Sequence, residues 1–233
     1  MSEGKRLVVI GAGGFGREVL HLINDINSVC FTWDFVGFLD DDPHALDGLE
    51  CPGDIVGPVG GISDWPDTWA VCAVGDPRIR KKIVLGLSGR DIRWATLVHP
   101  TAVTGFGSTV GEGAVICGGA VITVNARIGR HVHLNYQSVC GHDVDVGDFS
   151  TLCPHVDISG HAVLGEGVFV GSHGVVMPGA HVGNWVKIGA GTLVLRHVPP
   201  GRTVFGVPAR PIDSPAIEGR QHRRAPSGHD ESY

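Results

Sequence analysis

The sequence predicts a small α/β domain followed by a parallel β-helix. Three observations carry that expectation: an unbroken six-residue apolar period in the C-terminal half, alternating strand and helix patterns before it, and 36 glycines in 233 residues. That glycine share is twice the globular average of about 7% and lacks the collagen period, so the chain must turn often. Every sixth residue from Val98 to Val194 is apolar, Thr104 excepted, and the residue four places after each is small or β-branched. Neither the helical period of 3.6 nor the strand period of 2 sustains such a pattern. Three short flat strands per turn, one hexad to a side, do sustain it, with the aliphatic residue pointing inward. Sixteen hexads give about five coils. Glycines at the following position, such as Gly105, Gly111, Gly141 and Gly147, are expected at tight corners as residues that enter left-handed backbone without steric cost.

Residues 6 to 95 read as a half-Rossmann-like βαβαβ unit. Arg6 to Ile10 is a short apolar strand and Gly11-Ala12-Gly13-Gly14-Phe15-Gly16 a turn. Arg17 to Asp25 is a helix with Val19, Leu20 and Ile23 inward. Phe35 to Leu39 and Trp69 to Val74 are further strands, and Ile79 to Leu87 is a second helix. The G-x-G-x-x-G run follows a strand and opens a helix, where free amides and the positive helix end receive a diphosphate. The bland alternative is a glycine-rich turn with no ligand. A dinucleotide takes two such halves and only one is present, which favours a mononucleotide or nucleoside diphosphate. Asp40 and Asp41 end the second strand, where a carboxylate accepts hydrogen bonds from a ribose or base, or else caps the next turn.

Composition excludes several classes. The formal net charge is -6, with 18 Lys and Arg against 24 Asp and Glu, and no long basic run marks a nucleic-acid partner. No stretch approaches the roughly 20 apolar residues of a membrane span, and the N-terminus lacks a signal h-region, so a soluble cytoplasmic protein is expected. Six scattered cysteines form no C-x-x-C pair and match no zinc spacing; they read as buried free thiols, and no metal is assigned. The tail from Asp213 to Tyr233 is polar and Pro/Gly/Ser-bearing, and disorder is expected there.

No Ser-His-Asp order, Walker loop or metal cluster emerges, so the chemistry falls to the histidines of the coils. His131, His133, His155, His161, His173, His181 and His197 occupy late hexad positions and are expected to be passive. His142 differs, because Asp143 follows it directly and can hold the imidazole in one tautomer, leaving the other nitrogen basic. One coil is eighteen residues, so Gly160 stacks beside His142. Without a side chain, Gly160 leaves space over the imidazole and offers an N–H to a developing oxyanion. A hydrated surface His-Asp pair is the plain alternative.

The segment Asn135 to Phe149, NYQSVCGHDVDVGDF, resembles a segment of the sugar acetyltransferases of the PglD and NeuD type. The likeness extends to Gly11 through Gly16, Leu39-Asp40-Asp41, Ala73 through Asp76 with Ile79 through Lys82, the coils, and Val204 through Arg210. It implies a left-handed coil, with domains at 1–95 (nucleotide-sugar binding), 96–200 (acyltransferase β-helix) and 201–233 (C-terminal segment and tail). It implies His142 as base and Asp143 as its orienting acid, with acetyl-CoA near Gly160, Ser172 and Ala190 between the subunits of a homotrimer. The nucleotide-activated amino sugar is implied at Gly11, Gly13, Gly14, Phe15, Asp40 and Asp41, with Asn135 on the substrate side. Two positions depart from the family: Phe15 and Thr151 stand where a member acting on a UDP-linked 4-amino sugar has histidines. The implied activity is N-acetylation by direct transfer. The alternatives are O-acetylation of a sugar or sialic acid, separable by product analysis, and a non-catalytic sugar-nucleotide-binding scaffold, separable by coenzyme binding.

Overall fold

The computed structural model describes residues 4–212, so the expected disorder of the tail from Asp213 lies outside the described residues. The N-terminal unit contains β1 (Lys5–Ile10), α1 (Gly14–Val29), β2 (Trp33–Leu39), β3 (Ile55–Gly57), a 3-10 turn (Val59–Asp64), β4 (Trp69–Cys72), α2 (Pro77–Gly86) and β5 (Arg93–Trp94). Its sheet runs β3-β2-β1-β4-β5, all strands parallel. The three expected strands form its centre. The edge strands are three and two residues long, too short to show a period.

Helix α1 buries Val19, Leu20, Leu22 and Ile23 against the sheet, the face read from the sequence. Helix α2 begins two residues before the expected start. Asp76 caps it, accepting from the N–H groups of Arg78 and Ile79, and Pro77 occupies the first turn, where its missing N–H costs nothing. Its buried face holds Arg80, while Ile79 is exposed.

From Leu97–Val98 to Leu193–Val194, seventeen two-residue strands pair in parallel with strands eighteen residues away, as Val121 does with Val139. They form the three faces of close to six coils, slightly more than the hexad count suggested. The inward residues from Ile116 to Val194 are at most 3% exposed and make one continuous core. Each large aliphatic side chain so buried contributes about 1.5–3 kcal/mol. Past Val194 the eighteen-residue spacing shortens: Val198 bridges to Val182, and Thr203–Phe205 pairs with Lys187–Ile188. The last coil therefore crosses residue 200. Arg210–Pro211 folds back antiparallel over the terminal strand and covers its edge.

The corners correct one expectation. Left-handed backbone recurs at every sixth residue from Gly107 to Gly191, and these positions carry Gly, Asn, Gln, Asp, His, Phe and Trp. The glycines expected there, Gly105, Gly111, Gly129, Gly141, Gly147 and Gly171, lie two residues earlier without positive φ. At those six, a β-carbon would stand 2.5 to 2.7 Å from a backbone atom of the next coil. Close approach between coils, not backbone freedom, excludes side chains there. The corner positions also account for His131, His155, His161 and His173, since histidine is among the residues enriched in left-handed backbone.

The N-terminal unit sits on the coil face that contains His133 and Thr151. Arg80, with no exposed surface, crosses this junction. Its guanidinium donates to Val74 O (2.6 Å) on its own side, and to His131 O (2.9 Å), Phe149 O (2.6 Å) and Thr151 Oγ1 (2.9 Å) on the coils. Burial lowers its pKa to about 10, still charged at neutral pH. His131 and His133, expected to be passive at the surface, are 3% and 0% exposed in this junction. Cys30 is exposed, contrary to the uniform reading of the thiols. Burial pushes Cys72 up to about 11, and Cys117 and Cys140 up to about 12, so these three stay protonated.

Candidate active site

The corner after each strand of the six-stranded coil face carries the column Asn125, Asp143, His161, with His142 beside it. His142 Nδ1–H donates to Asp143 Oδ2 at 2.8 Å, because a carboxylate only accepts. This leaves Nε2 as the basic nitrogen. The hydrogen bond from His142, and then the charges of His161 and His142, hold the Asp143 carboxyl below its usual range. Both side chains are open to solvent, at 56% and 40% exposure, as a base meeting an external substrate requires.

Gly160 stacks next to His142, as the eighteen-residue coil demands, but the arrangement differs from the expected open slot. The imidazole itself fills the volume: a β-carbon on Gly160 would stand 2.5 Å from His142 Nε2. The Gly160 N–H has no acceptor among the described residues, while its carbonyl takes the Gly179 N–H. An unclaimed donor and the basic nitrogen therefore share one small region.

His161, expected from its late hexad position to be passive, belongs to this corner. It follows Asp143 by one coil, and its Nε2 lies 3.8 Å from the same Asp143 oxygen, with its ring edge-on to that of His142 at 4.8 Å. Spacing by eighteen from Asp143 would have found it.

On the eight-stranded side of the coils, Gly11 and Asp40 sit together because β1 and β2 are parallel neighbours. Gly11 has φ of +97°, and Gly16 packs under the Gly11 carbonyl where a side chain has no room. Gly13 has open space around it, and Gly14 has only the Arg17 guanidinium near. The turn thus presents bare backbone at the start of α1. Asp40 accepts from Ala12 N (2.7 Å) and Asp42 N (2.9 Å), and Asp41 accepts from Val59 N (3.0 Å). Through these contacts both carboxylates shape the loops around the turn, Asp40 also closing the turn at Asp42. Phe15 points to the coils and meets the His133 ring at 4.7 Å, tilted by 36°. Thr151 accepts from Arg80 and donates to Gly75 O, so both departures from the family belong to the domain junction. Asn135 is 7% exposed and donates to Leu152 O, a coil-to-coil bond.

Ser172 and Ala190 follow strands of the eight-stranded face, at the corner of Gln137, His155 and His173, and not at the corner of His142. The glycine-rich turn also lies on the eight-stranded side. A single chain therefore brings His142 together with Gly160 but places Ser172, Ala190 and the glycine-rich turn on another side of the coils. A cleft of about 570 Å3 between α2 and the third corner, lined by Lys81, Trp94, Arg130, His131, Asp148 and Glu166, is separate from His142. Lys81 pairs with Glu166 and Arg130 with Asp148 along it.

Residues 6–87 match the family model for the PglD N-terminal domain. The chain is 30% identical over 149 residues to GDP-perosamine N-acetyltransferase of Escherichia coli O157:H7, covering 63% of this chain and 66% of that protein. It is 34% identical over 118 residues to UDP-N-acetylbacillosamine N-acetyltransferase of Bacillus subtilis (strain 168), covering 48% and 51%. The match thus spans from half to just under two thirds of the curated relatives. Among solved structures, PerB from Caulobacter crescentus in complex with CoA and GDP-perosamine superposes with a TM-score of 0.80 at 27% identity, over 90% of this chain and 97% of that one. The acetyltransferase domain of PglB from Neisseria gonorrhoeae FA1090 gives 0.79 at 26%, over 90% and 100%. In its PglD-type N-terminal unit and its hexapeptide coils, the chain is similar to the left-handed β-helix sugar acetyltransferases of the PglD/NeuD type.

Proposed function

We propose that this protein is a cytoplasmic acetyl-CoA-dependent N-acetyltransferase that acts on a nucleotide-linked amino sugar. The observation that carries the reading is the solvent-facing His142–Asp143 pair, whose basic Nε2 adjoins the unclaimed Gly160 N–H. The relatives named for acetylation of GDP-perosamine and a UDP-linked bacillosamine supply the substrate class.

In this reading, the sugar amine attacks the thioester carbonyl while His142 Nε2 takes its proton. Asp143 steadies the imidazolium that forms. The Gly160 N–H receives the oxyanion, which collapses to expel coenzyme A as its thiolate; the proton held by His142 then neutralises it. No covalent enzyme intermediate is involved. The diphosphate rests on the bare amides of Gly13, Gly14 and Phe15 at the start of α1, with Asp40 and Asp41 fixing the surrounding loops. The coenzyme runs by Gly160, Ser172 and Ala190.

Because His142 occupies a different corner from Ser172, Ala190 and the glycine-rich turn, the reading includes a homotrimer with each site shared between neighbours. Among the described residues, no helix is long and apolar enough to cross a membrane. The test is incubation with acetyl-CoA and a panel of GDP-, UDP- and dTDP-linked amino sugars, following thiol release and product mass. Acetylation of one nucleotide amino sugar supports the reading. Acetylation of free sugar hydroxyls only, or coenzyme binding absent by calorimetry, overturns it.

A further inference from the structure

Two imidazoles and one carboxylate converge at the His142 corner. Asp143 Oδ2 is 2.8 Å from His142 Nδ1 and 3.8 Å from His161 Nε2, and one ligand atom from each residue lies within 4.8 Å of the others. No linear spacing motif marks the set, because His161 arrives from the next coil. A zinc ion bound at about 2.0–2.1 Å holds tetrahedral ligands about 3.3 Å apart, a value between the two measured separations. Nitrogen and carboxylate donors of this kind suit Zn2+. The three side chains are 40 to 66% exposed, so small rotations complete the geometry and solvent supplies a fourth ligand.

We propose that His142, Asp143 and His161 form a site for a divalent transition metal such as Zn2+, and that its occupancy switches off the general base. The inhibitory half rests on the reading of His142 as the base; the metal site does not. The chemistry follows from the ring's two nitrogens. While Nδ1–H donates to Asp143, Nε2 holds the lone pair that accepts the substrate proton. A metal at Nδ1 uses the lone pair there, and the neutral ring then carries its one proton at Nε2. The ring's proton count is unchanged, no electron moves, and the atom that must accept a proton is already filled. His161 contributes Nε2 with its own proton at Nδ1. Metal and substrate proton are thus mutually exclusive on one imidazole.

The experiment is titration of the full chain with Co2+, followed by its visible absorption, with competition by Zn2+. The expected result is a metal ion per chain that is weakened by His161→Asn and by Asp143→Asn. Each loss should be at least the roughly 10- to 100-fold that removal of a mere outer-shell partner costs. In the transferase assay, Zn2+ should inhibit in step with occupancy, a chelator should restore the rate, and His161→Asn should shift the inhibition curve by the same factor. Absence of binding, or binding indifferent to both substitutions, overturns the site. Metal bound at this cluster with the rate unchanged or raised overturns the inhibitory role. The cobalt spectrum needs no acetyl transfer, so a failure of the enzymatic reading is told apart from a failure of the site.

Discussion

His142 Nε2 lies against the face of Gly160, one coil further on, so closely that a β-carbon on the glycine would stand 2.5 Å from it. The backbone of Gly160 does not require glycine, since its φ is not in the left-handed region. The missing side chain is therefore a requirement of the imidazole's position. Gly160→Ala should leave the thermal melt within a few degrees of the parent and lower turnover by about 10²-fold or more, the scale of misplaced general-base assistance. Steady-state kinetics beside a melting curve check this, and retained turnover would detach Gly160 from the site.

Asp143 contributes by keeping the Nδ1 proton of His142 in place. An amide at this position can turn its NH2 toward the ring and favour the opposite tautomer. Asp143→Asn should thus lower kcat by about 10²-fold with little change in KM for the coenzyme. A parallel fall in coenzyme affinity would instead indicate a binding role.

Acid should loosen the domain junction. His131 is held neutral by burial first and by the charges of Arg80 and Arg130 next, with its pKa lowered to about 4; His133 is shifted the same way by burial and Arg80. The unfolded chain protonates its histidines below about 6.5. Between there and about 4 the unfolded state binds more protons than the folded one, so stability falls as pH falls. For His131 the full loss is of order 3 kcal/mol, of which about 2 kcal/mol is reached by pH 5. Urea denaturation at pH 7.5 and pH 5 should show it, with the difference reduced in His131→Asn.

Arg80 satisfies carbonyls on both sides of the junction. Arg80→Met removes the charge but leaves several buried acceptors without a donor, each at about 1–3 kcal/mol. A loss of about 3 kcal/mol or more is expected in urea denaturation, with faster proteolysis near Ala95 and Thr96. Unchanged stability would mean that water replaces the guanidinium at no cost.

The solenoid was legible because a one-dimensional stack repeats its demands every six residues, and the pairing of His142 with Gly160 followed from the same count. The role of the hexad glycines was misread because sequence does not separate a glycine needed for φ from one needed for close approach. His161 was missed for a similar reason: its partner is Asp143 across a coil, not a neighbour in the chain. Arg80 was invisible because a basic residue on a short helix is ordinarily solvated, and most of its acceptors are backbone carbonyls that no side-chain pattern reveals. Asp40 and Asp41 are readable from sequence as either ligand groups or caps, and their contacts with the Ala12 and Val59 amides are set by the fold, not by chain order.

The most direct test compares wild type with His142→Ala on the nucleotide amino sugar that the panel identifies, measuring acetyl transfer under saturating acetyl-CoA and coenzyme affinity by calorimetry. The account predicts a drop of about 10²- to 10⁴-fold in turnover with coenzyme affinity preserved. Turnover that survives the substitution undiminished would contradict it.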